Sequence, residues 1–193
     1  MYAPACNTET LLLHTCCGIC ATQVVELLSR DYRVTAFYYN PNIQPEEEYV
    51  RRHTALETFC RIRDIELISG GYDNQEWLEL AAGLEEQPEG GARCEVCFAM
   101  RLWKTAQVAA EQGIPTFGTT LSISPHKDTQ AVNRIGQEAA KRYNIHFLAE
   151  DFKKDNGYRK SCDLSRRYGL YRQQYCGCMY SKNTPQRSRS TQR

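Results

Sequence analysis

The chain has 193 residues, with 24 basic and 23 acidic side chains, so its formal net charge is only +1. The charges are segregated, because residues 1–100 hold 7 basic and 16 acidic side chains whereas residues 101–193 hold 17 and 7. A basic C-terminal half favours a polyanionic partner. Hydrophobic residues make up 41% of the chain, which is enough for the core of a single domain and excludes a largely disordered protein.

The sequence contains no apolar run close to the ~20 residues that a membrane-spanning helix needs. Its first residues also lack the basic start and apolar stretch of a secretory signal. We therefore expect a cytoplasmic protein with no membrane partner. Disulfides are rare in that reducing compartment, so the 10 cysteines need another role, and metal or redox chemistry is the first candidate.

The hydrophobic pattern alternates between short apolar runs, typical of buried strands, and longer segments with helical periodicity. The predicted strands are 11–16, 34–39, 65–69, 115–120 and 145–149. The predicted helices are 17–30, 45–64, 74–87, 94–112 and 128–143. This alternation predicts an α/β fold with a parallel, doubly wound (Rossmann-like) sheet of about five strands. We expect residues 1–181 to form one domain that includes a basic helical segment at 158–175, and residues 182–193 to be a disordered basic tail.

Seven of the cysteines lie in three short motifs: Cys16-Cys17-Gly-Ile-Cys20, Cys94-Glu-Val-Cys97 and Cys176-Gly-Cys178. Two of these motifs fall at predicted helix N-termini, where backbone N–H groups and the helix dipole favour the thiolate that a metal requires. Seven thiols exceed the four that one zinc ion or one iron–sulfur cluster takes. A [4Fe–4S] cluster beside a mononuclear metal is therefore favoured over one structural zinc or a dithiol redox function.

Other suggestive residues have simpler explanations. Cys60 lies on a helical stripe and is predicted to be a core residue, and Cys6 and Cys162 are assigned no metal role. The loop Ser69-Gly-Gly-Tyr-Asp73 resembles the pyrophosphate loop of ATP-dependent RNA thiolases, but it follows the third predicted strand rather than the first. A strand-to-helix turn with Asp73 as the N-cap is the favoured interpretation.

Candidate general acids follow two of the predicted strands. Ligands bind at the carboxyl ends of the strands in open α/β sheets, because the loops there converge. Tyr39 ends the second strand, and His126, Lys127 and Asp128 follow the fourth. We predict that these four titratable residues include the catalytic proton donor. Packing of Tyr39 and helix capping by Asp128 are the structural alternatives.

Basic residues in the C-terminal part alternate with tyrosines, the combination that holds single-stranded RNA through phosphate contacts and stacking. A solvated basic helix with its tyrosines packed inward is the alternative. Arg101, one turn after Cys97, faces either phosphate or the negative charge of a cluster. The predicted RNA-binding residues are Arg101, Lys153, Lys154, Arg159, Lys160, Arg166, Arg167 and Arg172.

The ordered set of motifs resembles the cobalamin-independent epoxyqueuosine reductases over a region from about Leu11 to Ser181. The matching segments are His14-Thr-Cys-Cys-Gly-Ile-Cys20, Phe37-Tyr-Tyr-Asn-Pro-Asn-Ile43 with Glu48-Tyr49 following, Arg93-Cys-x-x-Cys97, Thr119-Thr-Leu-Ser-Ile-Ser-Pro-His-Lys127 and Tyr168-Gly-Leu-Tyr-Arg-Gln-x-Tyr-Cys-Gly-Cys178. The resemblance implies the last step of queuosine synthesis, in which the epoxide of epoxyqueuosine at the wobble position of tRNA is reduced to the alkene. It implies as partners the tRNAs with a GUN anticodon, those for Asp, Asn, His and Tyr, and an unidentified electron donor.

The resemblance also implies the cofactors, a [4Fe–4S] cluster and an adjacent mononuclear metal, which it indicates is iron. The residues that match metal-binding motifs by position are Cys16, Cys17, Cys94, Cys97, Cys176 and Cys178. Cys20 stands where some members carry Asp, so a thiolate replaces a carboxylate there. The two alternatives are an iron–sulfur tRNA thiolase and a zinc-stabilised RNA-binding module without catalysis.

Overall fold

The computed structural model describes residues 9–182, so Cys6 and the predicted tail after Lys182 lie outside the described residues. The strands are β1 Glu9–His14, β2 Tyr32–Tyr38, β3 Leu67–Ser69, β4 Thr116–Thr119 and β5 His146–Phe147. The α-helices are α1 Gly18–Leu28, α2 Glu46–Arg63, α3 Asn74–Leu80, α4 Ala92–Glu111, α5 Thr129–Tyr143, α6 Gly157–Arg167 and α7 Met179–Lys182. Within residues 9–182, no helix is long and apolar enough to cross a bilayer.

The five strands form one parallel sheet in the order β3-β2-β1-β4-β5, which confirms the predicted fold class. Leu13 of β1 lies opposite Ala36 of β2 on one side and Gly118 of β4 on the other. The chain builds the sheet outward from β1 to β3, then returns to the far side of β1 with β4. The carboxyl ends of β1 and β4 therefore flank the topological switch point, where open α/β sheets place their ligands.

Helices cover both faces of the sheet, which explains why β1 is an uninterrupted apolar run. Leu11 and Leu13 pack on one face with residues of α1, α2 and α6. Leu12, between them, points to the other face and packs with α4 and α5. The core therefore fixes β1 in the centre of the sheet. The position of β1 in turn sets the direction in which the chain continues after His14.

Helix α3 ends at Leu80, seven residues before the predicted end at Gln87. The buried guanidinium of Arg93 explains the early end, because its Nη1 donates to the carbonyl oxygens of Leu84, Glu85 and Gln87 at 2.9, 2.7 and 2.6 Å. Those carbonyls are satisfied by a side chain from α4, so the segment is held as a chain of turns instead of a helix.

The basic helix α6 ends at Arg167, also earlier than predicted. Gly169 has a φ of 65°, a left-handed conformation that favours glycine. The amide of Gly169 donates to Arg166 O at 3.1 Å and that of Leu170 to Ser165 O at 2.9 Å, the two bonds of a Schellman C-cap. The chain from Gly169 to Cys178 is consequently irregular.

Candidate metal centre

The connection from β1 to α1 brings three cysteines together. Cys17 is the extended N-cap residue of α1, and Cys20 lies in the first turn of that helix. A Cβ on Gly18 would lie 3.1 Å from the backbone of Ala55 in α2, so the close approach of the two helices requires glycine. The backbone amide of Cys20, at the start of α1, donates to the Cys17 sulfur and acts to lower the pKa of that thiol.

We call Cys16, Cys17 and Cys20 the buried triad. Their sulfurs lie within 4.8 Å of one another, and the sulfurs of Cys16 and Cys17 are 3.8 Å apart. Thiols of Cys17 and Cys20 donate hydrogen bonds to Cys16, which hold the pKa of Cys16 well below its ordinary value. The same bonds raise the pKa of Cys17 to about 12 and that of Cys20 well above its usual range. Because a metal binds thiolates, metal binding by the triad would release the protons that its thiols carry.

We call Cys94, Cys97, Cys176 and Cys178 the second group. Cys94 lies in the first turn of α4, and Cys97 and Cys178 are buried in one small apolar cluster. Burial raises the pKa of Cys97 to about 12, against the opposing charge of Arg101. The Cys176 and Cys178 thiols contribute to raising the pKa of both α4 cysteines, so the four side chains interact electrostatically.

Cys176 connects the two cysteine groups. The Lys127 ammonium interacts electrostatically with Cys176 and with two cysteines of the buried triad. The Arg52 guanidinium interacts with Cys17 and with Cys176. The buried triad and Cys176 of the second group therefore interact with the same two basic side chains.

Three basic side chains interact with these thiols. The Arg101 Nη2 donates to the Cys97 sulfur at 3.1 Å, and Arg101 is 2% exposed. Arg52 is equally buried, and Lys127 is partly buried. Burial acts to lower the pKa of Lys127, but the charges of Cys176 and Cys16 outweigh it and hold that pKa above its usual value. The lysine is therefore a cation beside the thiols.

The three candidate acids after β4 have different surroundings. Lys127 lies beside the cysteines, as described above, and its carbonyl oxygen accepts a 2.9 Å bond from Lys153 Nζ. His126 is exposed. Asp128 is also exposed, and its Oδ1 caps α5 by accepting from the amide of Gln130 at 2.8 Å. Of the three, Lys127 has the surroundings expected of a group that acts within the site.

Tyr39, the fourth candidate acid, packs on the sheet face opposite the main α1–α2 layer. Its hydroxyl donates to Asp73 Oδ2 at 2.8 Å, and burial together with this bond raises its pKa. Asp73 occupies the N-cap position of α3, as predicted, but its side chain makes no capping bond there. A Cβ on Gly70 would lie 2.7 Å from the Tyr39 ring, so the Ser69 loop packs against Tyr39.

The basic residues predicted to bind RNA form an exposed face beside the site, with two exceptions. Arg101 is buried at Cys97, and Lys153 is partly buried. Helix α6 packs along α1, and Tyr158 in its first turn has a pKa raised to about 12 by burial and by nearby Cys162 and Cys20. The start of α6 therefore adjoins the buried triad. The exposed members are Lys154, Arg159, Lys160, Arg166, Arg167 and Arg172.

Sequence reasoning missed several side chains that support the thiols. Gln173 Nε2 donates to the Cys17 sulfur at 2.9 Å, and the Thr120 hydroxyl donates to the Cys16 sulfur at 3.5 Å. Arg52 and Glu48 form a buried ion pair of 2.7 Å. Their i,i+4 spacing is common on exposed helix surfaces, so spacing alone does not indicate burial.

Comparison with known proteins relates this site to a family. The family model of epoxyqueuosine reductase QueH matches residues 11–184. Proteins with that name include one from Streptococcus pyogenes, 41% identical over 178 residues that cover 89% of this chain and 70% of the relative. Another, from Acinetobacter baylyi, is 38% identical over 96% of this chain and 86% of the relative, and one from Thermotoga maritima is 34% identical over 89% and 90%.

Solved structures with a similar fold are more distant in sequence. The U34-tRNA thiolase NcsA of Methanococcus maripaludis, solved with its [4Fe–4S] cluster, has a TM-score of 0.58 at 13% identity, over 93% of this chain and 64% of that one. A predicted tRNA methyltransferase subunit of Methanocaldococcus jannaschii has a TM-score of 0.53 at 15% identity, over 81% of this chain and 74% of that one. These likenesses support the fold. The match over residues 11–184, together with relatives of 34–41% identity, shows that this chain belongs to the QueH family of epoxyqueuosine reductases.

Proposed function

We propose that this chain reduces epoxyqueuosine to queuosine at the wobble position of tRNAs with a GUN anticodon. The observation that carries the proposal is the buried triad of cysteines, which interacts with the same Lys127 ammonium as Cys176 of the second group, beside exposed basic residues. In the reaction, the epoxide takes up two electrons and two protons, both C–O bonds break, and an alkene and water form. An external low-potential reductant supplies the electrons.

The buried triad fits a single metal ion. A tetrahedral thiolate site with metal–sulfur bonds of about 2.3 Å has sulfurs about 3.8 Å apart, and the sulfurs of Cys16 and Cys17 are separated by 3.8 Å. Three thiolates leave the fourth position of such a metal open for substrate. Cys20 supplies one of the three sulfurs of the buried triad. The metal would therefore have the same number of protein ligands as in family members that carry Asp at this position.

The second group fits a [4Fe–4S] cluster. Its four thiols match the number that a cubane takes, one on each iron. Within residues 9–182, the buried triad alone has three or more possible metal ligands whose donor atoms all lie within 4.8 Å of one another, and no three sulfurs of the second group lie that close together. The second group is therefore more widely spaced, as thiolates on separate irons are. When bound, the metal ion would polarise the epoxide oxygen and the cluster would deliver electrons.

The protein residues have separable tasks in this reaction. Lys127, whose ammonium interacts with Cys176 and with two cysteines of the buried triad, would give a proton to the departing oxygen. The positive charges of Arg101 and Arg52 stabilise a cofactor that gains negative charge on reduction. Burial of the triad limits access of water to the site.

The basic face would hold the anticodon stem-loop. Contacts to phosphate fix the position of RNA without reading its sequence, and single-stranded loops present unstacked bases to a protein. Because α6 begins beside the buried triad, RNA bound along α6 can present a splayed wobble nucleoside to the thiols. Tyr158, in the first turn of α6, is 36% exposed, so part of its ring is open to a base.

The test is anaerobic reconstitution with iron and sulfide, then incubation with epoxyqueuosine-containing tRNA and a low-potential reductant. We expect queuosine in the digested tRNA, formed without ATP. Absence of the alkene from a fully loaded protein would reject the activity. A requirement for ATP would instead favour the thiolase alternative. Colourless protein that contains zinc and no sulfide would favour the non-catalytic RNA-binding module.

A further inference from the structure

Arg52 uses all three guanidinium nitrogens: one bonds Glu48 on the same helix, and two join α2 to the segment that carries the last two cysteines. Its Nε donates to Glu48 Oε1 at 2.7 Å. Its Nη1 donates to the carbonyl oxygen of Cys176 at 3.0 Å, and its Nη2 to that of Tyr175 at 3.1 Å. The guanidinium also lies 5.1 Å from the centre of the Tyr175 ring. Arg52 is 2% exposed, so these bonds are shielded from water.

Further contacts hold the same segment against the start of α2. The other carboxylate oxygen of Glu48 accepts from the Tyr171 hydroxyl at 2.7 Å. Gly177 has a φ of 138°, and its carbonyl oxygen accepts from the Gln44 amide at 2.9 Å. A Cβ on Gly177 would approach Arg52 Nη1 to 3.2 Å. The backbone between Cys176 and Cys178 therefore lies against the guanidinium, and a larger residue at Gly177 would crowd Arg52.

The carbonyl contacts matter because this segment has little regular structure to hold it. Between the end of α6 and the start of α7 the chain is irregular, yet this segment carries Cys176 and Cys178, two of the four cysteines of the second group. The planar fork of arginine bonds two adjacent carbonyls at once, which the single ammonium of lysine does not reproduce. Arg52 thereby fixes both the position and the direction of the backbone at Cys176.

We propose that Arg52, held by Glu48, is a positioning residue that locks the Cys176–Cys178 segment in the geometry that binds the cofactor. The inference rests on the proposed metal centre, and it deepens it by naming what preorganises its last two ligands. Arg52 acts through backbone carbonyls, so it is distinct from Arg101, which contacts a ligand sulfur.

The same helix offers a matched control. Arg61 and Glu57 form a second i,i+4 ion pair on α2, with an N–O distance of 3.7 Å and side chains 74% and 51% exposed. Arg61→Lys makes the same chemical change as Arg52→Lys without touching the cysteine segment. Cys60, also on α2 and 3% exposed, reports general loosening of the helix.

The experiment is peptide-resolved alkylation of the anaerobically purified full-length protein during a chelator challenge. In Arg52→Lys the charge opposite Glu48 is kept while the carbonyl bonds are lost. We expect Cys176 and Cys178 to become alkylated about tenfold faster than in the wild type, with Cys60 unchanged, because local opening becomes easier. Arg61→Lys should match the wild type.

Unchanged labelling of Cys176 and Cys178 in Arg52→Lys would overturn the proposal. So would a parallel rise at Cys60, because the role of Arg52 would then be general stability of α2. Iron released per minute is a second readout, expected to rise in Arg52→Lys alone. The labelling result does not depend on turnover, so a protein that lacks reductase activity can still support the role of Arg52, and an active one can still refute it.

Discussion

Arg101 Nη2 donates a hydrogen bond to the sulfur of Cys97 at 3.1 Å, in a site where the arginine is 2% exposed. The Nε of the same side chain donates to the Cys97 carbonyl oxygen at 2.9 Å, so the guanidinium is fixed against both ends of that residue. Hydrogen bonds to ligand sulfurs and nearby positive charge are among the factors that set the reduction potential of iron–sulfur clusters.

Replacing Arg101 with glutamine should make the cluster harder to reduce. Loss of the buried positive charge lowers the midpoint potential, by on the order of 50 mV, which corresponds to about 1 kcal/mol for one electron. An anaerobic spectroelectrochemical titration measures this. The control is Arg142→Gln, which removes an exposed charge from the end of α5 at the opposite edge of the sheet. Equal potentials in both variants would contradict the electrostatic role of Arg101.

The proposed division of ligands predicts different losses for two cysteine substitutions. Cys20→Ser should lose the lone metal while keeping the cluster absorbance, and Cys97→Ser should lose the cluster absorbance. Iron and sulfide analysis with Mössbauer spectroscopy distinguishes these species. Cys60→Ser, in the core and outside both groups, should retain both centres. If Cys20→Ser bleached the cluster and Cys97→Ser did not, the assignment would be reversed.

The three candidate acids after β4 should respond differently to substitution. Lys127→Gln should lower kcat by about 100-fold or more, because a positioned proton donor is lost. His126→Gln should stay within about threefold of the wild type, since His126 is exposed. Asp128→Ala should cost about 1 kcal/mol of stability through loss of the α5 cap, with kcat little changed. A single-turnover assay and a denaturant titration test these expectations. A larger loss of kcat in His126→Gln than in Lys127→Gln would move the acid role to His126.

Charge reversal on α6 should weaken tRNA binding in a salt-dependent way. Arg159→Glu with Lys160→Glu removes about two phosphate contacts, so affinity should fall and the dependence of log K on log salt should become shallower by about two. Lys141→Glu with Arg142→Glu makes the same change of net charge on α5 and should have a smaller effect. Binding isotherms at several salt concentrations provide the measurement, and equal effects of the two pairs would argue against a tRNA face on α6.

His14 should make the metal-free protein sensitive to acid. Burial lowers its pKa to about 3, and both ring nitrogens are hydrogen-bonded, to Thr119 Oγ1 at 2.9 Å and to the Tyr39 carbonyl oxygen at 3.1 Å. A depressed pKa means that the stability is present above the unfolded value near 6.5 and is lost as pH falls toward 3. The loss from this group is up to about 4 kcal/mol.

His14→Gln keeps a donor and an acceptor but does not titrate, so its free energy of unfolding should fall less than the wild type's between pH 7 and 4. His146→Gln, at an exposed histidine, should follow the wild type. Urea unfolding of the metal-free protein across this range gives the comparison. Identical pH dependence in all three proteins would show that His14 is not the acid-sensitive group.

The order of strands and helices was predictable because each β-strand and helix carries its own hydrophobic period. The ends of α3 and α6 were harder to place for different reasons. The end of α3 depends on Arg93, a residue of another helix that takes up the carbonyls of the preceding turns. The end of α6 had a local signal, Gly169, which permits the left-handed C-cap.

The candidate site shows the same contrast. Cysteine spacing identified the seven thiols, because short motifs at helix starts place sulfurs on one side of the chain. The supporting residues were not identifiable in this way. Arg52 and Gln173 lie 124 and 156 positions from the cysteines they contact, Cys176 and Cys17, and nothing local marks either as buried or as a partner of a cysteine.

Metal and acid-labile sulfide analysis of anaerobically purified protein is the decisive measurement, since the second group is assigned to a [4Fe–4S] cluster and the buried triad to a single metal ion. We expect iron in excess of sulfide by one per chain, with the broad absorbance of a [4Fe–4S] cluster near about 400 nm. Protein that binds zinc alone, with no sulfide and no visible absorbance under the same conditions, would contradict this assignment.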